Sequence, residues 1–78
     1  MPKTNVDKVG RFIRNFNNGL RGLMKREKVS QETLAKYLNI SRVSMTHRMT
    51  GQTKWSLEDA YKVCDYFDTS LEEIIGRS

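Results

Sequence analysis

The sequence predicts an all-α fold of five helices with short connections, and three observations carry that reading. Apolar residues recur at spacings of three and four along most of the 78 residues, the period of a helix with one inward face, while few β signals appear. Four serines, Ser30, Ser41, Ser56 and Ser70, each precede a helix-forming run. A hydroxyl at that place can accept a bond from a free N–H of the first turn. Asn39, Gly51 and Gly76 stand where three of those runs stop, and Asn and Gly enter the left-handed conformation that ends helices more readily than other residues.

Each element follows in turn. Val9, Ile13, Phe16, Leu20 and Leu23 make one face of a first helix over roughly 8–27. Gly10, Gly19 and Gly22 weaken it, each by about 1 kcal/mol against Ala, and Asn17-Asn18-Gly19 is a point where it can break. Pro2 and the polar residues around it read as a loose arm over 1–7. The second helix, Gln31–Leu38, begins behind Ser30, carries the stripe Leu34, Ala35 and Leu38, and ends at Asn39. The third runs from Arg42 to about Met49, between Ser41 and Gly51. Ser56-Leu57-Glu58-Asp59 approximates a capping box, with Asp where Glu or Gln is usual; Ser70-Leu71-Glu72-Glu73 is a full one. The former opens a helix to Phe67 that turns Leu57, Ala60, Val63, Cys64 and Phe67 inward. The latter opens a short helix through Ile75, stopped by Gly76. No repeat, low-complexity tract or linker interrupts the chain, so residues 1–78 read as one domain.

Composition narrows the function classes. One Cys cannot build a disulfide framework, and one Cys with one His cannot supply the four N/S ligands of a structural zinc site. No apolar run approaches the roughly 18 residues of a membrane span, and no charged-then-apolar leader is evident. The expectation is a soluble cytoplasmic protein without cofactor or metal. Charge is more telling. Residues 1–54 hold 12 Lys and Arg against three acids, a net +9; residues 55–78 hold two against six, a net −4. A segment so one-sidedly basic suggests a polyanion as partner.

The second and third helices are separated only by Asn39-Ile40-Ser41. That spacing matches a helix-turn-helix, whose second helix enters the DNA major groove. The groove, about 12 Å wide, admits one helix with its side chains. Arg42, Ser44, Thr46, His47 and Arg48 make the third helix rich in polar donors, while Met45 and Met49, four apart, are available to a core.

The run Val29-Ser30-Gln31-Glu32-Thr33-Leu34-Ala35-Lys36-Tyr37-Leu38-Asn39-Ile40-Ser41-Arg42-Val43-Ser44 resembles the Cro and repressor (Xre-type) helix-turn-helix family. Gly51 and the two Ser-Leu-Glu starts fall in the same register, and the likeness extends from about Phe16 to Gly76. It implies a five-helix, lambda-repressor-like DNA-binding domain. By the same resemblance, Gln31 would contact the DNA backbone and brace the recognition helix. Arg42, Val43, Thr46 and His47 would face bases, and Ser44 with the loop Gln52-Thr53-Lys54 would meet phosphates. The chemistry agrees: Arg chelates guanine O6 and N7, a branched apolar group meets a thymine methyl, and Lys holds a phosphate without reading sequence.

Several positions depart from the family pattern. Met24 and Met49 stand where members often place an Arg–Glu ion pair, so both ends have become apolar together and are expected to touch. Arg48 stands where an apolar residue is usual. A buried unpaired Arg is costly, so Arg48 must reach outward, find an acid or contact DNA. Trp55 stands where Pro is frequent and is expected to pack over the last two helices. Cys64 replaces a small core residue.

The function expected is a sequence-specific regulator of transcription on double-stranded DNA, a repressor of phage or bacterial type that binds a palindromic operator as a homodimer. Ile74 and Ile75 are candidate dimer contacts. The alternative is a protein-interaction module on the same fold, an antirepressor or a tethering domain, which has no need of the +9 segment. No nucleophile–base pair, phosphate loop or small-molecule site is evident, so no enzyme is expected. A membrane surface would need a sustained basic amphipathic helix; residues 8–27 only partly match one.

Overall fold

The computed structural model describes residues 6–77, with side chains from residue 9 onward. The described residues form five helices and no strand: α1 (Val6–Glu27), α2 (Gln31–Leu38), α3 (Arg42–Thr50), α4 (Leu57–Phe67) and α5 (Leu71–Gly76). The all-α expectation holds, and every helix falls within about two residues of its expected bounds. Part of the expected arm, residues 1–5, lies outside the described residues; its remainder, from Val6, is helical.

The serine caps hold α2 to α5. The hydroxyls of Ser30, Ser41, Ser56 and Ser70 accept from the N–H of Thr33, Ser44, Asp59 and Glu73. At Ser70 the box is complete. The Thr69 hydroxyl and the Ser70 N–H both donate to Glu73 and hold its carboxyl below the usual carboxylate range. At Ser56 only half the box forms, because the Asp59 carboxylate is drawn to Arg48 instead.

Three helices end by one device. Lys28, Asn39 and Asp68 adopt left-handed backbone, at φ 58°, 59° and 52°. Each donates its N–H to the carbonyl three residues back, and the next residue donates to the carbonyl five back, as Val29 does to Met24 at 2.8 Å. The Asn39 ending is legible in the sequence; that at Lys28 is not, because lysine is not a usual left-handed residue, whereas Asp68 is of a type that tolerates this geometry. Gly51, at φ 87°, ends α3 as expected. Gly76 does not stop α5: it is the helix's last residue, and Arg77 caps in ordinary right-handed geometry. Lys28 bears the largest steric penalty of the three, about 1 kcal/mol. Lys28→Gly should therefore raise the melting temperature by about 4–8 °C. An unchanged or lower value in a calorimetric scan would show that this turn is not held left-handed in solution.

One core draws on all five helices: Phe16, Leu20, Leu23 and Met24 of α1; Leu34, Ala35 and Leu38 of α2; Met45 and Met49 of α3; Ala60, Val63 and Cys64 of α4; and Ile74 of α5. Burial pushes the Cys64 thiol above its ordinary value, consistent with a packing role. Two residues expected inward are exposed, Val9 at 49% and Leu57 at 68%. Val9 lies on the part of α1 that precedes its covered turns, and Leu57 opens α4 at the rim. Ile74 is fully buried within the chain, so it is not a dimer contact; Ile75 packs half-buried against the core.

The first helix does not break at Asn17-Asn18-Gly19. Gly19 lies directly against the backbone of Ile74, where a Cβ would come within 1.8 Å of the Ile74 carbonyl oxygen. Only glycine allows α1 and α5 to approach so closely. Asn17 is 96% removed from solvent and hydrogen-bonded on both sides of its amide, as described below.

Candidate nucleic-acid interface

The two helices of the motif are joined by a tight link. Ile40 N–H reaches back to the Ala35 carbonyl at 3.0 Å, and Ser41, in extended backbone, opens α3 at once. The buried Met45 and Met49 fix the rotation of α3 about its axis. The opposite side presents Arg42, Val43 and Thr46 to solvent, with Ser44 and His47 half-buried beside them. Val43 is 63% exposed, a branched apolar side chain on an otherwise polar face. Across the link, Gln31 Oε1 accepts from the Thr46 hydroxyl at 3.4 Å. That contact links the start of α2 to the middle of α3. Gln52, Thr53 and Lys54 are all exposed, and the Thr53 N–H donates to the His47 carbonyl at 3.1 Å, tying the loop to the end of α3.

The carboxyl end of α3 is held by α1. Asn17 Nδ2 donates to the Arg48 carbonyl at 3.0 Å, and Arg21 Nη2 donates to the Met49 carbonyl. These carbonyls belong to the last turn, where the backbone supplies few partners: that of Arg48 receives only the Gly51 N–H, at 3.3 Å. Asn17 Oδ1 accepts from Trp55 Nε1 at 2.8 Å, and Trp55 meets the Phe16 ring edge-on, centroids 5.3 Å apart. Trp55 is therefore fixed first by α1, a partner the sequence reading did not give it. With Ala60, Leu71 and Ile75 of the last two helices it lines an open apolar groove.

Arg48 resolves into the second of its three expected options. Its Nη2 lies 3.4 Å from Asp59 Oδ2, with the two side chains only 16% and 14% exposed. Its Nη1 donates to the Ser44 carbonyl at 3.2 Å, while the buried Nε has no partner among the described residues. Arg48 thus points into the body of the protein toward α4, leaving Thr46 and His47 on the outward side. Met24 and Met49 are both buried in the common core.

Asn17 and Arg21 were not singled out as site residues by sequence. A signal for Asn17 exists: Ile13, Asn17, Leu20 and Met24 follow the apolar helical spacing. A polar residue on that stripe needs buried partners. Arg21 gave none, being one base among many.

Gathered together, these features are an outward polar helix, tight against its predecessor, touched by Gln31 at its middle and held by α1 at its end, with a loop carrying Lys54 following. A family model for the Cro/C1-type HTH DNA-binding domain matches residues 19–78. The chain belongs to that family. Cro/C1-type domains are DNA-binding regulators rather than enzymes, and their partner is double-stranded DNA. No curated protein and no solved structure matches the chain. The Cro/C1-type match begins at Gly19, so it takes in the second part of α1 and leaves out Val6–Asn18. Asn17, which holds the carboxyl end of α3, therefore lies outside the matched residues. Among the described residues no helix is long and apolar enough to cross a membrane, and no group of three His, Cys, Asp or Glu could hold a metal ion.

Proposed function

We propose that this Cro/C1-type domain is a repressor that binds a palindromic operator as a homodimer and acts by excluding RNA polymerase. The observation that carries the proposal is the outward face of α3: Arg42, Val43 and Thr46 are exposed together on a helix anchored at its carboxyl end by α1 and touched at its middle by Gln31. Arg42 chelates a guanine edge, Val43 meets a thymine methyl, and Thr46 and His47 read neighbouring bases. Gln31, Ser44, Gln52, Thr53 and Lys54 grip phosphates and set the register. Two copies on half-sites one helical turn apart double the readout. Residues 1–78 act as one DNA-binding unit.

Selection from a randomised duplex pool tests this reading. The expected result is a palindromic motif with half-sites about 10 bp apart, bound by two copies, and reduced initiation from a promoter carrying it. Arg42→Ala should cost about 1–3 kcal/mol on the selected duplex and much less on a scrambled one. Lys54→Ala should weaken both alike and reduce the salt slope by about 0.9. No binding at low salt would reject the reading. Equal losses on both duplexes for Arg42→Ala would move Arg42 from the bases to the backbone.

A further inference from the structure

A second basic surface lies beside the recognition helix, on the part of α1 that the family match mostly leaves out. Arg14, Asn18 and Arg21 follow one another at four and three residues, so they share one stripe of α1. With Gly10, Thr50 and Gly51 they line an open cleft between α1 and the carboxyl end of α3. No carboxylate lines it, and among the described residues neither arginine has an acidic partner within salt-bridge distance. Arg21 is already oriented: Nη2 holds the Met49 carbonyl, and Nη1 holds Asn18 Oδ1 at 3.0 Å. A guanidinium has five N–H donors, so three remain for a ligand. Arg14 is exposed and accompanies it at the cleft. Two like charges with no counter-charge among the described residues favour an anion between them, and a planar guanidinium suits phosphate oxygens bidentately. The cleft ends at Gly51, next to the loop Gln52-Thr53-Lys54, and so continues the surface that follows the recognition helix.

We propose that Arg14 and Arg21, with the Asn18 amide, bind a phosphate of the DNA backbone adjoining the one gripped by the Gln52–Lys54 loop. This rests on the reading of α3 as the helix that enters the groove. It extends the footprint of the domain onto α1 and makes α1 both an anchor for α3 and a DNA-contacting element.

Arg14→Gln is the decisive variant, because no hydrogen bond or ion pair of Arg14 exists among the described residues and the fold should be unchanged by thermal melting. Arg77→Gln, at the end of α5 and outside the cleft, removes the same charge as a control. Binding to one selected duplex and one scrambled duplex is titrated against salt. Arg14→Gln should weaken both severalfold and make the salt slope shallower by about 0.9, the value for one phosphate contact; Arg77→Gln should leave the slope unchanged. A wild-type slope in Arg14→Gln overturns the proposal while leaving the DNA-binding reading intact. Failure of the unaltered protein to bind either duplex overturns both. Melting in increasing inorganic phosphate separates the remaining source. Stabilisation that vanishes in Arg14→Gln, together with an unchanged DNA slope, would make the cleft a site for free phosphate and refute the DNA assignment.

Discussion

Gly19→Ala should destabilise the protein by about 3 kcal/mol, although alanine favours a helix over glycine. The added methyl would fall 1.8 Å from the carbonyl oxygen of Ile74 and 2.8 Å from its carbonyl carbon. The obstacle is backbone, so no rotamer change relieves it and α1 must move away from α5. Overpacking costs about 1–3 kcal/mol, more where the neighbour cannot yield. The gain in helix propensity is about 1 kcal/mol, too little to offset it. Gly22 supplies the control. It lies one turn further along the same helix, exposed, with nothing within 4 Å of its added Cβ. Gly22→Ala should therefore raise the melting temperature by about 4–8 °C, while Gly19→Ala should lower it by more than about 12 °C. Calorimetry on the pair measures both. Equal shifts in one direction would show that α1 and α5 do not meet at Gly19.

Asp59→Ala should be the other severe change, costing about 2–3 kcal/mol. Removing one partner of a fully buried ion pair costs about 3–5 kcal/mol, because a charge is left without compensation. The Arg48–Asp59 pair keeps slight contact with water, so the lower value is expected. Without Asp59 the Arg48 side chain retains one hydrogen bond, to the Ser44 carbonyl, and its Nε is already unpartnered. Replacing both charges should recover most of the loss, since apolar groups that fill the space of such a pair can match or exceed its stability. Arg48→Met combined with Asp59→Ala is thus expected to unfold at a higher urea concentration than Asp59→Ala alone. If the double variant is the less stable of the two, the pair is not the source of the loss.

The helices and their capped starts were legible because local chemistry decides them. A serine hydroxyl and the next three residues suffice to start a helix, and the apolar spacing of Leu34, Ala35 and Leu38 shows which side turns inward. What escaped the sequence depends on residues far apart. Asn17 and Gly19 read as helix breakers, since the helpful partners, Trp55 with the Arg48 carbonyl and the Ile74 backbone, lie 31 to 55 positions away. The need of Arg48 for a companion was legible; that Asp59 answers it was not, because the capping role of Asp59 was the nearer explanation. In the site, the outward residues of α3 follow from the inward Met45 and Met49. The share of α1 in holding that helix does not follow from any local pattern.

The seat of Ile74 on Gly19 also governs when this protein can come into being on the ribosome. The first helix emerges early with a bare glycine strip and half of its apolar face uncovered. The motif helices follow and pack on each other, but Ile74 is still inside the exit tunnel. Only after α5 has cleared it can Ile74 reach Gly19 and complete the core. Folding of this domain is therefore expected only once α5 has left the exit tunnel, and the completed core is absent from nascent chains tethered before that point.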